Sequence, residues 1–388
     1  MGSRHQVRLL FLSVAVVTVS TLPVFLTGAA FFQIGPELGI GPFGLGAMTA
    51  AFFLTAAATS PGLGRWVQRV GWRRAMRVNV VASAMVVALI APLARTAWSL
   101  GLLLVAAAVM YGSSNPAANQ ALARHTHPAR TATVFGLKHA GIPVSTLLAG
   151  LAVPIVVVDY GWRPAFLVAA LLALLVWLLI PGGTDEAGVE AIDRRAGAPL
   201  VARDLHRLAA VAALGAVAAV ALGTFMVSAA LETGFSEPAA GWLQFAGSGA
   251  SVTARIVAGL VVDRTGGALT GLVGLLGAGA VVFVVLPWTV GALFVVAVLA
   301  AYATGWGWPG LMTATVVGAD REVAAATSAV TQAGVFVGAG GGPLVLGAMV
   351  EQWSFPAMWM SVSVCLAVGA YLAWSVAAQV RRPTGAVG

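Results

Sequence analysis

Charged residues are scarce in this chain of 388 residues, of which 9% are charged and 60% are hydrophobic. Soluble domains carry roughly 25% charged residues, because a surface in contact with water needs them. With 13 acidic residues over this length, a soluble globular enzyme and a disordered chain are both excluded. The single cysteine, Cys365, excludes a disulfide framework and a cysteine metal site. A lipid bilayer is therefore the expected solvent.

The hydrophobic residues form twelve runs, and each is long enough for a spanning helix, which needs about 20 largely apolar residues. Charge clusters and Gly or Pro breaks separate the runs. The first run is too long for the apolar part of a signal peptide, so we expect an uncleaved span. The predicted spans cover residues 9–32, 43–63, 75–94, 98–122, 131–157 and 164–181, and then 208–232, 240–262, 268–286, 290–318, 323–350 and 355–379.

The positions of the basic residues predict the orientation of the chain in the membrane. Most of the 21 Lys and Arg residues lie before the first run or after an even-numbered run, including the twelfth. Segments rich in Lys and Arg stay in the cytoplasm, so both termini of a multi-pass protein in the cytoplasmic membrane are expected there. The one long polar stretch, 182–207, is predicted to be a cytoplasmic linker between a six-helix bundle in residues 1–181 and another in residues 208–388.

The two halves of the chain repeat each other with an offset near 194 residues, and such a repeat indicates an architecture of two related units. A glycine, an arginine and a second glycine recur after the second and eighth spans; they are Gly64, Arg69 and Gly71, and then Gly259, Arg264 and Gly266. Together with Asp263, the second copy resembles the cytoplasmic loop signature of the major facilitator superfamily, Gly-x3-Asp-Arg-x-Gly. The first copy departs from the signature, because Gln68 stands where the family has Asp.

The resemblance to the major facilitator superfamily covers the whole chain and implies its fold. That fold is an all-α membrane protein, with twelve transmembrane helices in two pseudo-symmetric six-helix bundles around a central cavity. The resemblance also implies alternating access, a monomer, and a gate in which Asp263 faces the N-terminus of the eleventh span, where the helix dipole favours negative charge. Gly64, Arg69, Gly259 and Arg264 are the other gate residues. The alternative is that these loop charges only set topology.

Two basic residues lie inside predicted spans, Lys138 in the fifth and Arg255 in the eighth. A charge inside the bilayer costs roughly 2.5–3.5 kcal/mol on insertion scales and is a functional candidate by default. Both residues lie about 10 Å from the cytoplasmic boundary at 1.5 Å per residue, and the resemblance places their spans opposite each other. No acidic residue lies at that depth in any predicted span, which favours an anionic substrate between the two cations. Snorkelling to the interface and internal pairing are the alternatives.

Polar side chains in other spans are predicted to extend this binding site. Hydrogen bonding between helices is an equal alternative for each of them. An imidazole can carry a coupled proton, so His139 is a candidate for proton coupling together with Glu232, and simple packing is the alternative for His139. The further substrate-site candidates are Tyr111, Asn115 and Asn119 in the fourth span, Tyr302 in the tenth, Gln33 in the first and Gln244 in the eighth.

The predicted function is a secondary transporter for a small organic anion such as a monocarboxylate, with a proton as the candidate coupling ion. A single basic residue in the eighth span also resembles the monocarboxylate and nitrate or cyanate carriers of the superfamily. The sequence contains no phosphate-binding loop, metal-ligand spacing or Ser-His-Asp arrangement, so no enzymatic activity, cofactor or metal is expected. Nucleic acid is not an expected partner, because the basic residues do not cluster in one run. The alternatives are a drug or cation exporter of the same fold and a non-transporting membrane receptor or scaffold.

Overall fold

The computed structural model of the protein describes residues 3–125, 137–183, 202–319 and 324–380, and every regular element in them is a helix. The helix Gly141–Ala152 continues through a π-helical turn, Val153–Val157, and one last turn, Val158–Tyr160. The helices are α1 (Ser3–Ala29), α2 (Phe31–Leu38), α3 (Pro42–Val70), α4 (Trp72–Leu93), α5 (Ala97–His125), α6 (Gly141–Ala152), α7 (Trp162–Leu179), α8 (Ala202–Glu232), α9 (Glu237–Thr265), α10 (Ala268–Val285), α11 (Gly291–Gly305), α12 (Pro309–Ala319), α13 (Ala324–Gln352) and α14 (Phe355–Val380).

Twelve segments of these helices are long and apolar enough to cross a membrane, which confirms the predicted number of spans. The tenth span is built from two helices, α11 and α12, which the turn at Trp306–Trp308 separates. Pro309 begins α12, where its missing N–H is tolerated. Pro116, in contrast, lies inside α5, and the helix continues through it.

Three helix pairs make most of the contacts between the first half of the chain, α1–α7, and the second half, α8–α14. They are α1 with α8, α3 with α13, and α6 with α9. Helices α1 and α8 are the most buried, with 78% of their most apolar segments inside the protein, so this pair lies at the centre. Residues 184–201 fall outside the described part of the chain, so the linker 182–207 and the exact division of the halves stay predictions.

The internal repeat is visible in the helices α3 and α9. Each has 29 residues, and Gly64 and Gly259 occupy the same position in the two helices. Because consecutive spans alternate in direction, both glycines lie near the face of the protein at which α1 begins. We call this the N-terminal face, and the other side the opposite face.

The two halves touch closely at the opposite face through small residues. A Cβ atom added to Gly46 of α3 would clash with the carbonyl oxygen of Pro343 in α13, and one added to Gly347 would lie 2.6 Å from the carbonyl oxygen of Pro42. In the pair α6 and α9, a Cβ atom on Gly150 would lie 2.9 Å from the carbonyl oxygen of Gly241. Backbones can approach this closely only where side chains are absent or small.

The end of α9 at the N-terminal face carries exposed apolar side chains. Beyond Arg255, the side chains of Ile256, Leu260 and Val261 are about half exposed, and a Cβ atom on Gly259 would meet no atom within 4 Å. Among the described residues, no other helix therefore packs closely against Gly259. The other end of α9 is the one that contacts the first half, where Gly241 packs against Gly150 of α6.

Candidate functional site

Lys138 is buried just before α6 and points its ammonium group at α5. Its side chain is 2% exposed, and Nζ donates hydrogen bonds to Oδ1 of Asn115 and Oδ1 of Asn119, both at 2.9 Å. Residues four apart lie on the same face of a helix, so the two amides together present their oxygens to one cation. The structure thus brings three of the predicted substrate-site residues together.

Arg255 is held by backbone carbonyl oxygens from both halves of the chain. Its Nε and Nη2 atoms donate to the carbonyl oxygen of Trp306 at 3.0 and 2.8 Å, and Nη1 donates to the carbonyl oxygen of His139 at 2.7 Å. Trp306 lies in the turn between α11 and α12, and its carbonyl oxygen accepts from Arg255. His139 lies in the turn before α6. The guanidinium therefore connects two helix ends across the halves.

The charges of Lys138 and Arg255 are not neutralised by an acidic group in the described part of the chain. The ion pairs found there are Arg163 with Glu37 and Arg207 with Asp204, and neither involves the two buried cations. Burying a charge is unfavourable unless a partner compensates it. Arg255 bonds to the backbone carbonyl of the residue that follows Lys138 in sequence. That the two uncompensated cations form one binding site stays a prediction.

Tyr111 contacts this site through Asn115, but the contact is long. Nδ2 of Asn115 lies 3.5 Å from the hydroxyl oxygen of Tyr111, which is at the limit of a hydrogen bond. The ring of Tyr111 stacks on Phe52 of α3 with a centroid distance of 5.7 Å. Tyr111 thus connects the polar group around Lys138 to the aromatic packing between α3 and α5.

Tyr302 is fully buried and its hydroxyl group is already engaged. The hydroxyl donates to the carbonyl oxygen of Leu222 in α8 at 3.1 Å, and the ring stacks on Trp306 with a centroid distance of 6.1 Å. In this conformation Tyr302 supports the turn that carries the Trp306 carbonyl, so its role in substrate binding stays a prediction.

Gln244 lies in the contact between α6 and α9. It is nearer than Arg255 to the opposite face. It is buried and its Nε2 atom donates to the carbonyl oxygen of Thr146 at 3.2 Å, while Oε1 has no hydrogen-bond partner among the described residues. The hydroxyl groups of Thr146 and Ser248 are 2.9 Å apart. These contacts form a polar patch between the halves that the sequence did not indicate, because residues 146 and 248 are distant along the chain.

Two further predicted residues lie away from Lys138, at the opposite face. Gln33 is part of α2, donates to the carbonyl oxygen of Val157 at 2.9 Å, and lines a cavity of about 670 Å³ beside Glu37 and Arg163. Glu232 is exposed at the end of α8. The structure does not bring either residue to the two buried cations.

The predicted proton-coupling residue His139 has a half-buried side chain, and its contact with Arg255 is made by its backbone carbonyl. Because that carbonyl accepts a hydrogen bond whatever the side chain does, the contact supports no role for the imidazole. Proton coupling through His139 stays a prediction.

The gate residues predicted from the loop signature lie at the N-terminal face. Arg69 and Arg264 are exposed there, and Gly64 is half-buried, with an added Cβ atom 3.8 Å from Pro116. The side chain of Asp263 lies outside the described residues, as do the side chains of 324–329 at the start of α13. The proposed contact between Asp263 and α13 therefore stays a prediction.

The cavity at the opposite face contains a polar cluster that the sequence analysis missed. The carboxylate of Glu37 accepts a hydrogen bond of 2.7 Å from Nε1 of Trp162 and pairs with Arg163 at 2.6 Å. Arg163 also lies over the ring of Trp162, 4.2 Å from its centroid. The Trp162 hydrogen bond, supported by Arg163, lowers the pKa of Glu37 below its ordinary value of 4.5 even though desolvation opposes the shift.

Comparison with known proteins places this architecture in a family. The family model described as Major Facilitator Superfamily matches residues 13–229. Multidrug resistance protein MdtG of Citrobacter koseri is 32% identical over 174 residues, and this match covers 42% of each chain.

Two crystal structures of a bacterial homolog to the human lysosomal transporter Spinster, one inward-facing and unoccupied and one inward-facing and occupied, are similar over 99% of this chain and 100% of theirs. Both have a TM-score of 0.77 at 15% sequence identity, so they share the fold. With a family match over more than half of its length and twelve spans in the corresponding fold, the chain belongs to the major facilitator superfamily of transporters.

Proposed function

We propose that this transporter carries a small organic anion, such as a monocarboxylate, by alternating access. The observation that supports the proposal is the pairing of Lys138 and Arg255 with neutral oxygen atoms and with no carboxylate in the described part of the chain. An anion bound between them would supply the missing compensation, and charge-assisted hydrogen bonds are stronger than neutral ones. The N-terminal face is the cytoplasmic side in this proposal, as the basic loops predict.

Both cations retain donors for such a ligand. An ammonium group has three N–H donors, and Lys138 uses two of them on Asn115 and Asn119. A guanidinium has five donors, and Arg255 uses three on the carbonyl groups of Trp306 and His139. A carboxylate can therefore bind without first removing the contacts that hold the two side chains. A proton taken up by His139 is the candidate for coupling.

Drug export is the second candidate function, and the similarity to MdtG favours it. A transporter of hydrophobic cations needs an acidic group in its cavity to compensate the charge of its substrate. Lys138 and Arg255 would instead repel a cation, because two unit charges about 4 Å apart interact by about 4 kcal/mol at an effective dielectric constant near 20. The anion proposal is therefore the stronger of the two.

Uptake into proteoliposomes tests the proposal directly. Purified protein is reconstituted and offered labelled monocarboxylates, dicarboxylates, nitrate and cationic drugs, with and without an imposed pH gradient. We expect transport of an anion that Arg255→Ala abolishes and Lys138→Ala reduces. Arg95→Ala is the matched control, because Arg95 is an exposed cation at the opposite face. Transport of a cationic drug that survives Arg255→Ala would overturn the anion proposal and favour export.

A further inference from the structure

Glu351, near the end of α13, reaches from the second half of the chain to the start of α3 in the first half. Its Oε2 atom accepts a hydrogen bond of 2.9 Å from the backbone N–H of Phe43. Pro42 is the first residue of α3 and has no N–H, so the first backbone donor that the helix offers is that of Phe43. A carboxylate at this place also interacts favourably with the positive end of the helix dipole.

The start of α3 has no capping side chain of its own. Its N-cap residue is Gly41, whereas Ser, Thr, Asp or Asn usually supplies the capping oxygen. A Cβ atom added to Gly41 would lie 2.5 Å from Oε2 of Glu351, so the carboxylate occupies the space where a side chain of residue 41 would be. Glu351 therefore caps α3 from the other half. Within the described part of the chain, this carboxylate makes no ion pair.

The contact exists only while the two halves meet at the opposite face. The neighbouring turns of α3 and α13 pack through Gly46 against Pro343 and through Gly347 against Pro42. Movement of α13 away from α3 would break these van der Waals contacts and the hydrogen bond together. The N–H of Phe43 would then lose the carboxylate that accepts its hydrogen bond.

We propose that Glu351 holds the opposite face closed by capping α3 across the halves, and that release of this cap is part of opening that face. The proposal rests on the alternating access of the proposed function but does not depend on which substrate is carried. Helix α13 would then contact the first half through Glu351 at its C-terminal end. Its N-terminus is the predicted partner of Asp263 at the N-terminal face.

Distances between spin labels across the opposite face test the proposal. In a Cys365→Ser background, Trp98→Cys and Val290→Cys place labels at residues that are 84% and 74% exposed, one in each half. The protein is studied in nanodiscs without substrate by double electron–electron resonance. We expect the wild type to show mainly the short distance. Glu351→Gln and Glu351→Ala should raise the ratio of open to closed protein about two- to fivefold, as expected for the loss of one charge at a helix end.

Two matched variants make the test specific. Glu237→Gln removes another exposed carboxylate at the same face, one that makes no hydrogen bond or ion pair among the described residues, and should leave the distances unchanged. Gly41→Ala keeps Glu351 but fills the space of its carboxylate, and the backbone of Gly41 (φ −83°) accepts alanine. We therefore expect Gly41→Ala to shift the distances in the same direction as Glu351→Ala.

The cap is overturned if Glu351→Gln, Glu351→Ala and Gly41→Ala all give the distance distribution of Glu237→Gln in protein that elutes as a single species. Failure of the anion proposal looks different. In that case no anion is transported, while the Glu351 variants still widen the opposite face. The last outcome is a single label-to-label distance in the wild type that does not change in any variant or with any compound of the transport panel. That result would refute both alternating access and the cap.

Discussion

The guanidinium of Arg255 donates a 2.7 Å hydrogen bond to the backbone carbonyl oxygen of His139, and this bond joins the two halves of the transporter beside Lys138. The same guanidinium holds the carbonyl oxygen of Trp306 in the broken tenth span. An anion that draws Arg255 toward Lys138 would therefore act on the contact between the halves as well as on the binding site. Substrate binding and movement of the halves are expected to be coupled through this one side chain.

Arg255→Lys is expected to weaken both the ligand site and the contact between the halves. The ammonium keeps the charge but cannot reach two carbonyl groups and a ligand as the planar guanidinium does. The loss of hydrogen bonds to a charged group should lower the free energy of unfolding by about 1.5–3 kcal/mol. Calorimetric titration with the transported anion should show lower affinity and an unchanged order of anion preference. An unchanged affinity for the anion in Arg255→Ala would contradict the predicted role of Arg255 in binding. Arg95→Lys is the control for both measurements.

Asn119→Asp is expected to abolish the anion preference by pairing Lys138 internally. Oδ1 of Asn119 already lies 2.9 Å from Nζ of Lys138, so an aspartate there would neutralise one of the two cations without changing the shape of the site. A charge change this close to a ligand should raise the Kd of an anion about tenfold or more. Asn119→Ala, which leaves the net charge unchanged, should have a smaller effect. Equal effects of the two variants on measured affinity would show that charge is not what selects the ligand.

Gly338→Ala is expected to destabilise the packing of α13 against α8. An added Cβ atom would clash with the backbone carbonyl of Ala213, and a backbone cannot move aside as a flexible side chain does. Such overpacking costs about 1–3 kcal/mol, which thermal unfolding in detergent would detect as a lower Tm. Gly341→Ala is a matched control in the same helix, since its added Cβ atom meets no atom within 4 Å. The packing argument fails if the two variants melt at the same temperature.

Glu37 is expected to make the stability of the opposite face depend on pH. Its pKa in the folded protein is below the ordinary value of 4.5, mainly because Trp162 donates to the ionised carboxylate. The stabilisation is therefore fully present above pH 4.5 and is lost as the pH falls through the lowered pKa. The difference in Tm between the wild type and Glu37→Gln should be constant above pH 4.5 and shrink below it. A difference that grows on acidification would mean that the pKa of Glu37 is raised instead.

The twelve spans could be predicted from the sequence because each one is decided locally. In a bilayer every backbone polar group needs a partner within the protein, so an apolar run of sufficient length becomes a helix whatever its neighbours are. The interruption of the tenth span follows in the same way from Pro309, which lacks the N–H that a continuous helix would use. Pro116 shows the limit of this argument, because α5 accommodates its proline without ending.

The sequence by itself also determined which residues to suspect, since Lys138 and Arg255 are charges in apolar runs and such charges are costly. It could not determine what they bind. The partners of Arg255 are backbone carbonyl oxygens, which every residue carries, so nothing in the residue types marks His139 and Trp306 as acceptors. Glu351 likewise looks like an ordinary surface acid until the fold places it over Phe43, 308 residues away in the chain. Only the tertiary structure decides such contacts, because the approach of two helix backbones depends on the packing of whole helices rather than on any local pattern.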